Sequence, residues 1–256
     1  MKKSTSNLFG SVVLILIALV FSCRNTPQQK LTAQEIVDKA IYKACGDSCG
    51  KAVVSFSFRG NRYKHTRNEG IYELDRITED SVVTRDILSN NGFKRLINGK
   101  EIMVPDSLRQ NYADAVNSVH YFVRIPYGLN ANAVNKKLAG EAQINGKSYY
   151  EISVTFDEKG GGTDFHDKFI YWIEKNEFTV DYLAYSFDVN DGGIRFREAY
   201  NPRIIKGFRF VDYHNLKPKD KTTPLTDLDS LFSAGELVKV SDIEANNIEV
   251  ELCTTC

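Results

Sequence analysis

The sequence has little net charge, one long apolar run and few residues that mark a catalytic or cofactor site. Its 33 basic residues equal its 33 acidic residues, so charge gives no reason to expect a nucleic-acid partner. It shows no repeat of fixed period and no low-complexity segment. No nucleophile motif, cofactor fingerprint or strong metal signature is present. We therefore expect no enzymatic activity, no cofactor and no bound metal.

The N-terminal segment combines two lysines with an apolar run over residues 12–21. That run suits a signal peptide and is shorter than the roughly 20 apolar residues of a comfortable bilayer span. It ends at Val20-Phe21-Ser22-Cys23, which resembles a lipobox, with an aliphatic residue three positions before the cysteine and a small residue just before it. We expect residues 1–22 to be a lipoprotein signal peptide and Cys23 to be lipidated. The alternative is an ordinary signal peptide with an accidental cysteine.

The segment that follows is short and polar. Residues 23–30 predict a tether, without the aspartate that resembles an inner-membrane retention signal or the acidic cluster that resembles a surface-export signal. Two or three acyl chains on Cys23 make membrane attachment effectively permanent. We therefore expect a monomeric outer-membrane lipoprotein of the cell envelope that faces the periplasm.

Alternating side chains predict a chain rich in β-strands. Fifteen Phe and thirteen Tyr, against one Trp and two Met, favour strands. Residues 53–59 and 151–157 alternate apolar and polar positions, which buries one face of each strand. Turn signals such as Asn98-Gly99 and Asn145-Gly146 separate successive strands. About ten antiparallel strands must curl, so we expect a mainly β (α+β) fold, a curved antiparallel sheet forming an open half-barrel covered by helices.

Four helical segments accompany the strands. Thr32 to Glu35 has the pattern of a capping box and opens a first amphipathic helix. Residues 105–123 place Leu108, Tyr112 and Val116 at helical spacing. A short helix is predicted over residues 131–138, and another over residues 228–232 in the tail that begins at about residue 218.

Several short segments resemble a Bacteroidota lipoprotein family that has no known activity. They are NSVHYF (117–122), PYGL (126–129), GGG (160–162), YWI (171–173), DYLAY (181–185) and GIRFREA (193–199). At the level of element order, residues 31–217 resemble the LolA/LolB-like architecture of periplasmic lipoprotein carriers and receptors. The resemblance implies one half-barrel domain over residues 31–256 with a C-terminal extension from about residue 218. Cys45-Gly46-Asp47 departs from the His-Gly-Gly expected at the end of the first helix.

Four cysteines beyond Cys23 form two close pairs, Cys45 with Cys49 and Cys253 with Cys256. In an oxidising periplasm disulfides are expected, and three pairings are possible. Bonds between the two pairs would join the first helix to the last strand. The alternatives are a tetrahedral zinc site and redox-active cysteines.

The concave face of the half-barrel is the expected ligand site, with the helix around residues 108–119 as its lid. An open barrel exposes too much apolar surface to leave empty, so the expected ligand is a lipid or acyl chain. Arg195 and Arg197 share a strand face and could grip a phosphate or carboxylate head group, although a solvated outer face is the alternative. The residues expected to bind ligand are Val54, Phe56, Phe58, Ile152, Val154, Phe156, His120, Arg195 and Arg197.

Two further hypotheses remain open. An envelope enzyme would use His120, Asp164, His166 and Glu198, which must then converge within hydrogen-bond reach. Glu198 lies on an apolar strand face and needs a partner such as Arg209. A non-catalytic interaction protein of the envelope is the third hypothesis.

Overall fold

The computed structural model describes residues 30–188 and 191–253. Residues 1–22, the predicted lipid acceptor Cys23 and Cys256 lie outside the described residues. Within the described ranges, no helix combines the length and apolar character needed to cross a bilayer.

The first helix, α1, runs over Ala33–Cys45. The backbone N–H of Glu35 donates to Thr32 Oγ1 at 3.2 Å, and the Thr32 N–H donates to Glu35 Oε2 at 2.7 Å. These two bonds satisfy orphan donors of the first turn and confirm the predicted capping box. Ile36, Val37 and Ala40 lie on the buried face of α1.

Seven strands form a first open sheet in the order β14-β1-β2-β3-β4-β5-β6. Every pairing in it is antiparallel. The strand bounds are β1 Lys51–Phe58, β2 Asn61–Asn68, β3 Ile71–Glu79, β4 Val83–Ser89, β5 Gly92–Ile97, β6 Lys100–Ile102 and β14 Asn246–Leu252. Helix α2, Asp106–Val123, follows β6.

The other seven strands form a second open sheet in the order β13-β12-β11-β10-β9-β8-β7. Their bounds are β7 Val134–Ile144, β8 Lys147–Phe156, β9 Lys168–Glu174, β10 Val180–Phe187, β11 Gly193–Ile205, β12 Phe208–Lys217 and β13 Val238–Ile243. A short helix, α3 at Leu228–Ser233, covers the outer face of this sheet, where Leu228 packs with Trp172 and Phe196.

The chain crosses from the second sheet to the first between β13 and β14. Both backbone groups of Ala245 are held at this crossing. Its N–H donates to Asp212 Oδ1 at 3.2 Å, and its carbonyl accepts from Arg203 Nη2 at 3.1 Å. Asp212 and Arg203 form an ion pair at 2.6 Å. The Arg203–Asp212 pair of β11 and β12 therefore holds the segment that joins the two sheets.

The predicted fold class is confirmed, since the described chain is mainly antiparallel β with two open curved sheets and few helices. The helix predicted over residues 131–138 is wrong. Val134 to Ile144 is an edge strand whose exposure alternates at every position. Cross-strand pairing with β8 outweighs the local helical preference of a short segment.

Candidate functional site

Helix α2 lies between the two sheets. His120 packs against the Phe56 and Tyr63 rings of the first sheet, and its Nε2 donates to the Asp75 carbonyl at 3.0 Å. Phe122 contacts Tyr185 of the second sheet, with ring centroids 5.4 Å apart. Residues two apart on a helix point about 200° apart, so α2 fills the interior rather than covering it from outside.

Burial keeps the His120 ring neutral. Burial lowers the pKa of His120 to about 4. The Nε2–H is therefore committed to Asp75, and the other ring nitrogen, Nδ1, is buried without a partner in the described structure. Such a ring packs as an aromatic side chain and holds no charge for a ligand at neutral pH.

A cavity of about 250 Å³ lies beside the C-terminal half of α2, bounded by the end of β1, the inner face of β11 and β12, and the crossing segment. Most of its walls are apolar. It is lined by Phe58, Arg59, Ser118, Val119, Phe122, Val123, Arg197, Val211, Tyr213, Asn215, Ile243 and Ala245. The lining holds two arginines and no acidic residue.

Arg197 is the most unusual of these side chains because it is only 6% exposed. Its Nη2 donates to the Tyr185 hydroxyl at 2.9 Å, and its guanidinium lies 3.5 Å from the centre of the Phe122 ring. Nε and Nη1 are buried without an acceptor, and no ion pair to Arg197 occurs within residues 30–188 and 191–253. Buried charges are ordinarily paired, so this guanidinium is an exception.

Two residues of β12, Tyr213 and Asn215, lie beside Arg197 of β11. Asn215 is the cross-strand neighbour of Arg197. Its Nδ2 donates to Ser241 Oγ at 3.3 Å, while its Oδ1 is buried without a partner. Burial raises the pKa of Tyr213 to about 12, so its phenol stays protonated at neutral pH.

The structure places two of the residues expected to bind ligand, Phe58 and Arg197, in the cavity wall. Arg195 lies outside it, with Nη1 donating to the Ile194 carbonyl at 2.9 Å and the guanidinium over the Phe187 ring. The others take part in side-chain packing away from the cavity. They are Val54, Phe56, His120, Ile152, Val154 and Phe156.

The four residues of the enzyme hypothesis are not brought together. His120 lies in the interior against the first sheet. Asp164 and His166 lie in the loop between β8 and β9, where burial and then the charge of Asp114 raise the pKa of Asp164. Glu198 lies on the opposite face of β11 from Arg197. The expected Glu198 partner Arg209 instead pairs with Asp181 at 3.2 Å.

The cysteines of the first pair are bonded to each other, since Cys45 and Cys49 form a disulfide with Cα atoms 5.0 Å apart. The bond closes the turn after α1 and does not join α1 to the last strand. Cys253 also takes part in a disulfide. Over the described ranges, no three His, Cys, Asp or Glu side chains are grouped so that they could hold a metal ion.

Sequence reasoning missed most of the cavity wall, including Phe122, Tyr213 and Asn215, although it placed Val119 in the helix over the cavity. Val211, Tyr213 and Asn215 alternate along β12, which places them on one face. Their register against Arg197 depends on a bulge between Tyr200 and Arg203. The sequence contains no turn signal that predicts this bulge.

Solved structures with a similar fold at low sequence identity include the following three. The LolA superfamily protein from Nitrosomonas europaea has TM-score 0.48 and 13% identity over 86% of this chain and 94% of that chain. A DUF1329 family protein from Desulfovibrio piger has TM-score 0.40 and 12% identity over 85% and 92%. An outer membrane lipoprotein-sorting protein domain from Vibrio parahaemolyticus has TM-score 0.42 and 9% identity over 88% and 93%.

A search of curated protein sequences finds none that matches this chain. One family model does match, over residues 10–245, which is most of the chain and takes in every residue of the cavity wall. The chain therefore belongs to the family of unknown function DUF6503.

Proposed function

We propose that this protein is an envelope lipoprotein that binds a lipid or another ligand with an apolar chain in the cavity beside α2. In this proposal residues 1–22 are a signal peptide, residues 23–30 form a tether from the lipidated Cys23, and residues 31–256 form the ligand-binding domain. The protein is monomeric, faces the periplasm from the outer membrane and acts by binding rather than by catalysis.

The observation that carries the proposal is an interior space whose walls are mostly apolar. Ligand sites of proteins are concave and largely apolar, with a few polar groups that fix orientation. The wall at Val119, Phe122 and Val211 supplies the apolar part, and Arg197 and Asn215 supply the polar part. Among the described residues no hydrogen bond or ion pair joins His120, Asp164 and Glu198 to one another, which favours binding over catalysis.

The small size of the cavity implies that α2 must move to admit a long ligand chain. Its 250 Å³ is slightly below the range of about 300–1,000 Å³ that is typical of ligand pockets. A long chain therefore needs α2 to move away from one sheet. The helix begins at Asp106, its N-cap Pro105 provides no side-chain cap, and Leu108 in its first turn is 42% exposed, so we propose that its N-terminal turn is the end that yields.

We expect a side chain that fills the cavity to abolish most of the binding. Val119→Trp places an indole where the ligand chain would lie. Calorimetric titration with the neutral amphiphile decanol should give an affinity at least tenfold lower than that of the unchanged protein, which corresponds to about 1.4 kcal/mol.

Asn117→Trp is the matched control, because Asn117 is exposed on the same helix and does not line the cavity. Its decanol affinity should stay within about twofold of the unchanged protein. Equal affinities of the Val119 and Asn117 variants, or the absence of saturable decanol binding to the unchanged protein, would contradict the proposed site.

A further inference from the structure

Three arginines of β11 and β12, Arg197, Arg203 and Arg209, differ in their partners. Arg203 pairs with Asp212, and Arg209 pairs with Asp181. Arg197 has neither a carboxylate nor an acceptor for Nε and Nη1. Three of its five N–H bonds therefore lack an acceptor, although it is the most buried of the three side chains.

Aromatic contacts do not replace the missing counter-ion. A ring stabilises a desolvated cation only partly, and Arg197 has the close Phe122 ring and the more distant Tyr185 and Tyr213 rings. The cost of removing an unpaired ion from water is larger, even after relaxation. The remaining cost is offset when an anion in the cavity reaches the guanidinium and accepts hydrogen bonds from Nε and Nη1, which neighbouring side chains cover in this structure.

We propose that the cavity binds an amphiphile by its carboxylate, with the head group on Arg197 and the chain along Val119 and Val211. The proposal rests on the proposed function and adds the class of head group. The cavity wall contains no acidic residue that would repel an anion. Arg59 is exposed at the mouth, with its guanidinium 5.1 Å from the Phe58 ring centre, and adds positive charge along the entry path.

The charge inside the cavity favours a carboxylate over a phosphate monoester. Arg197 supplies a single buried positive charge, which one carboxylate neutralises, whereas a phosphate monoester carries roughly −1.5 to −2 at neutral pH. Asn215 can donate to the head group when its amide is turned over. Oδ1 then accepts from the Ser241 hydroxyl, and Nδ2 becomes the end of the amide without a protein partner.

Calorimetric titrations with decanoate, decanol, decyl phosphate and decyltrimethylammonium test the head group. We expect decanoate to bind the unchanged protein at least tenfold more tightly than decanol, and the cation to bind more weakly than decanol. Arg197→Met should reduce decanoate affinity to that of decanol. Arg195→Met, two residues away on the same strand face, should leave the preference unchanged.

The outcomes separate this inference from the proposed function. Equal binding of decanoate and decanol to the unchanged protein overturns the carboxylate site and leaves apolar-chain binding intact. Tighter binding of decyl phosphate than of decanoate overturns the choice of head group. Absence of binding by all four compounds overturns both proposals. Because the first comparison uses only the unchanged protein, the test stands even when Arg197→Met fails to fold.

Discussion

Replacing Asp212 with alanine is expected to lower the free energy of unfolding by about 3 kcal/mol, because it removes a buried carboxylate and leaves the half-buried Arg203 and the buried Ala245 N–H without their acceptor. Asp212 is 4% exposed. Its carboxylate accepts from Arg203, from Asn201 Nδ2 at 2.7 Å and from the Ala245 N–H. The variant removes all of these bonds and releases the crossing between the two sheets. Urea denaturation followed by circular dichroism measures the loss.

Glu79 provides the matched control, since it forms an ion pair with Arg62 on the surface of the first sheet. The two side chains of that pair are 51% and 59% exposed. Surface pairs contribute about 0–1 kcal/mol, so Glu79→Ala should cost less than about 1 kcal/mol. Equal losses for the two variants would show that the crossing is not held by Asp212.

The Asp212 pair also predicts how stability depends on pH. Burial raises the pKa of this carboxyl, but hydrogen bonds from Arg203 and Asn201 and the charge of Arg203 outweigh burial and lower the pKa. The folded state therefore holds the proton less tightly than the unfolded state. The contribution of Asp212 is fully present above the unfolded pKa of about 3.9 and is lost as the pH falls below it. Asp212→Asn should reduce this acid sensitivity.

Replacing Cys23 with alanine is expected to abolish membrane attachment. Alanine has no sulfur to receive a diacylglycerol, and each methylene of a buried acyl chain contributes about 0.8 kcal/mol to anchoring. Labelled palmitate should be incorporated into the unchanged protein and not into the variant. The variant should leave the membrane fraction after cell disruption.

Ser22→Ala is the control for this change, because alanine is also small and leaves the cysteine in place. It should be labelled and should stay with membranes. A Cys23→Ala chain that still takes up palmitate, or that still sediments with membranes after a salt wash, would contradict the lipid anchor.

Local features of the fold were predictable from sequence, because short-range chemistry determines them. Thr32 and Glu35 begin α1 with reciprocal hydrogen bonds. Asn98 and Gly99 both adopt positive φ, at 48° and 80°, which is the geometry of a two-residue hairpin that Asn-Gly favours. The residues that make each of these features lie within three positions of each other in the sequence.

Long-range features were not predictable in the same way. The predicted sheet is two sheets in the structure, and the assignment of β13 and β14 to different sheets depends on contacts of Ala245 with Asp212 and Arg203. Helix α2 was expected as a lid, whereas its His120 and Phe122 contact opposite sheets.

Of the two charged residues in the cavity wall, Arg59 and Arg197, only Arg197 was predicted from the sequence. The alternation of β11 placed Arg197 beside Arg195 on one face, but it did not distinguish them. The structure buries Arg197 and leaves Arg195 over the Phe187 ring. That difference arises from the position of α2, whose Phe122 covers Arg197, and helix position is not encoded in a strand pattern.

The most direct test of the account is photo-crosslinking with decanoate that carries a diazirine at its chain end, followed by peptide mass spectrometry. The account predicts labelled residues within 118–123 of α2 and 211–215 of β12, with labelling suppressed by excess decanoate and by Val119→Trp. Labelling concentrated at exposed apolar positions such as Met103, which is 92% exposed, would contradict an interior binding site.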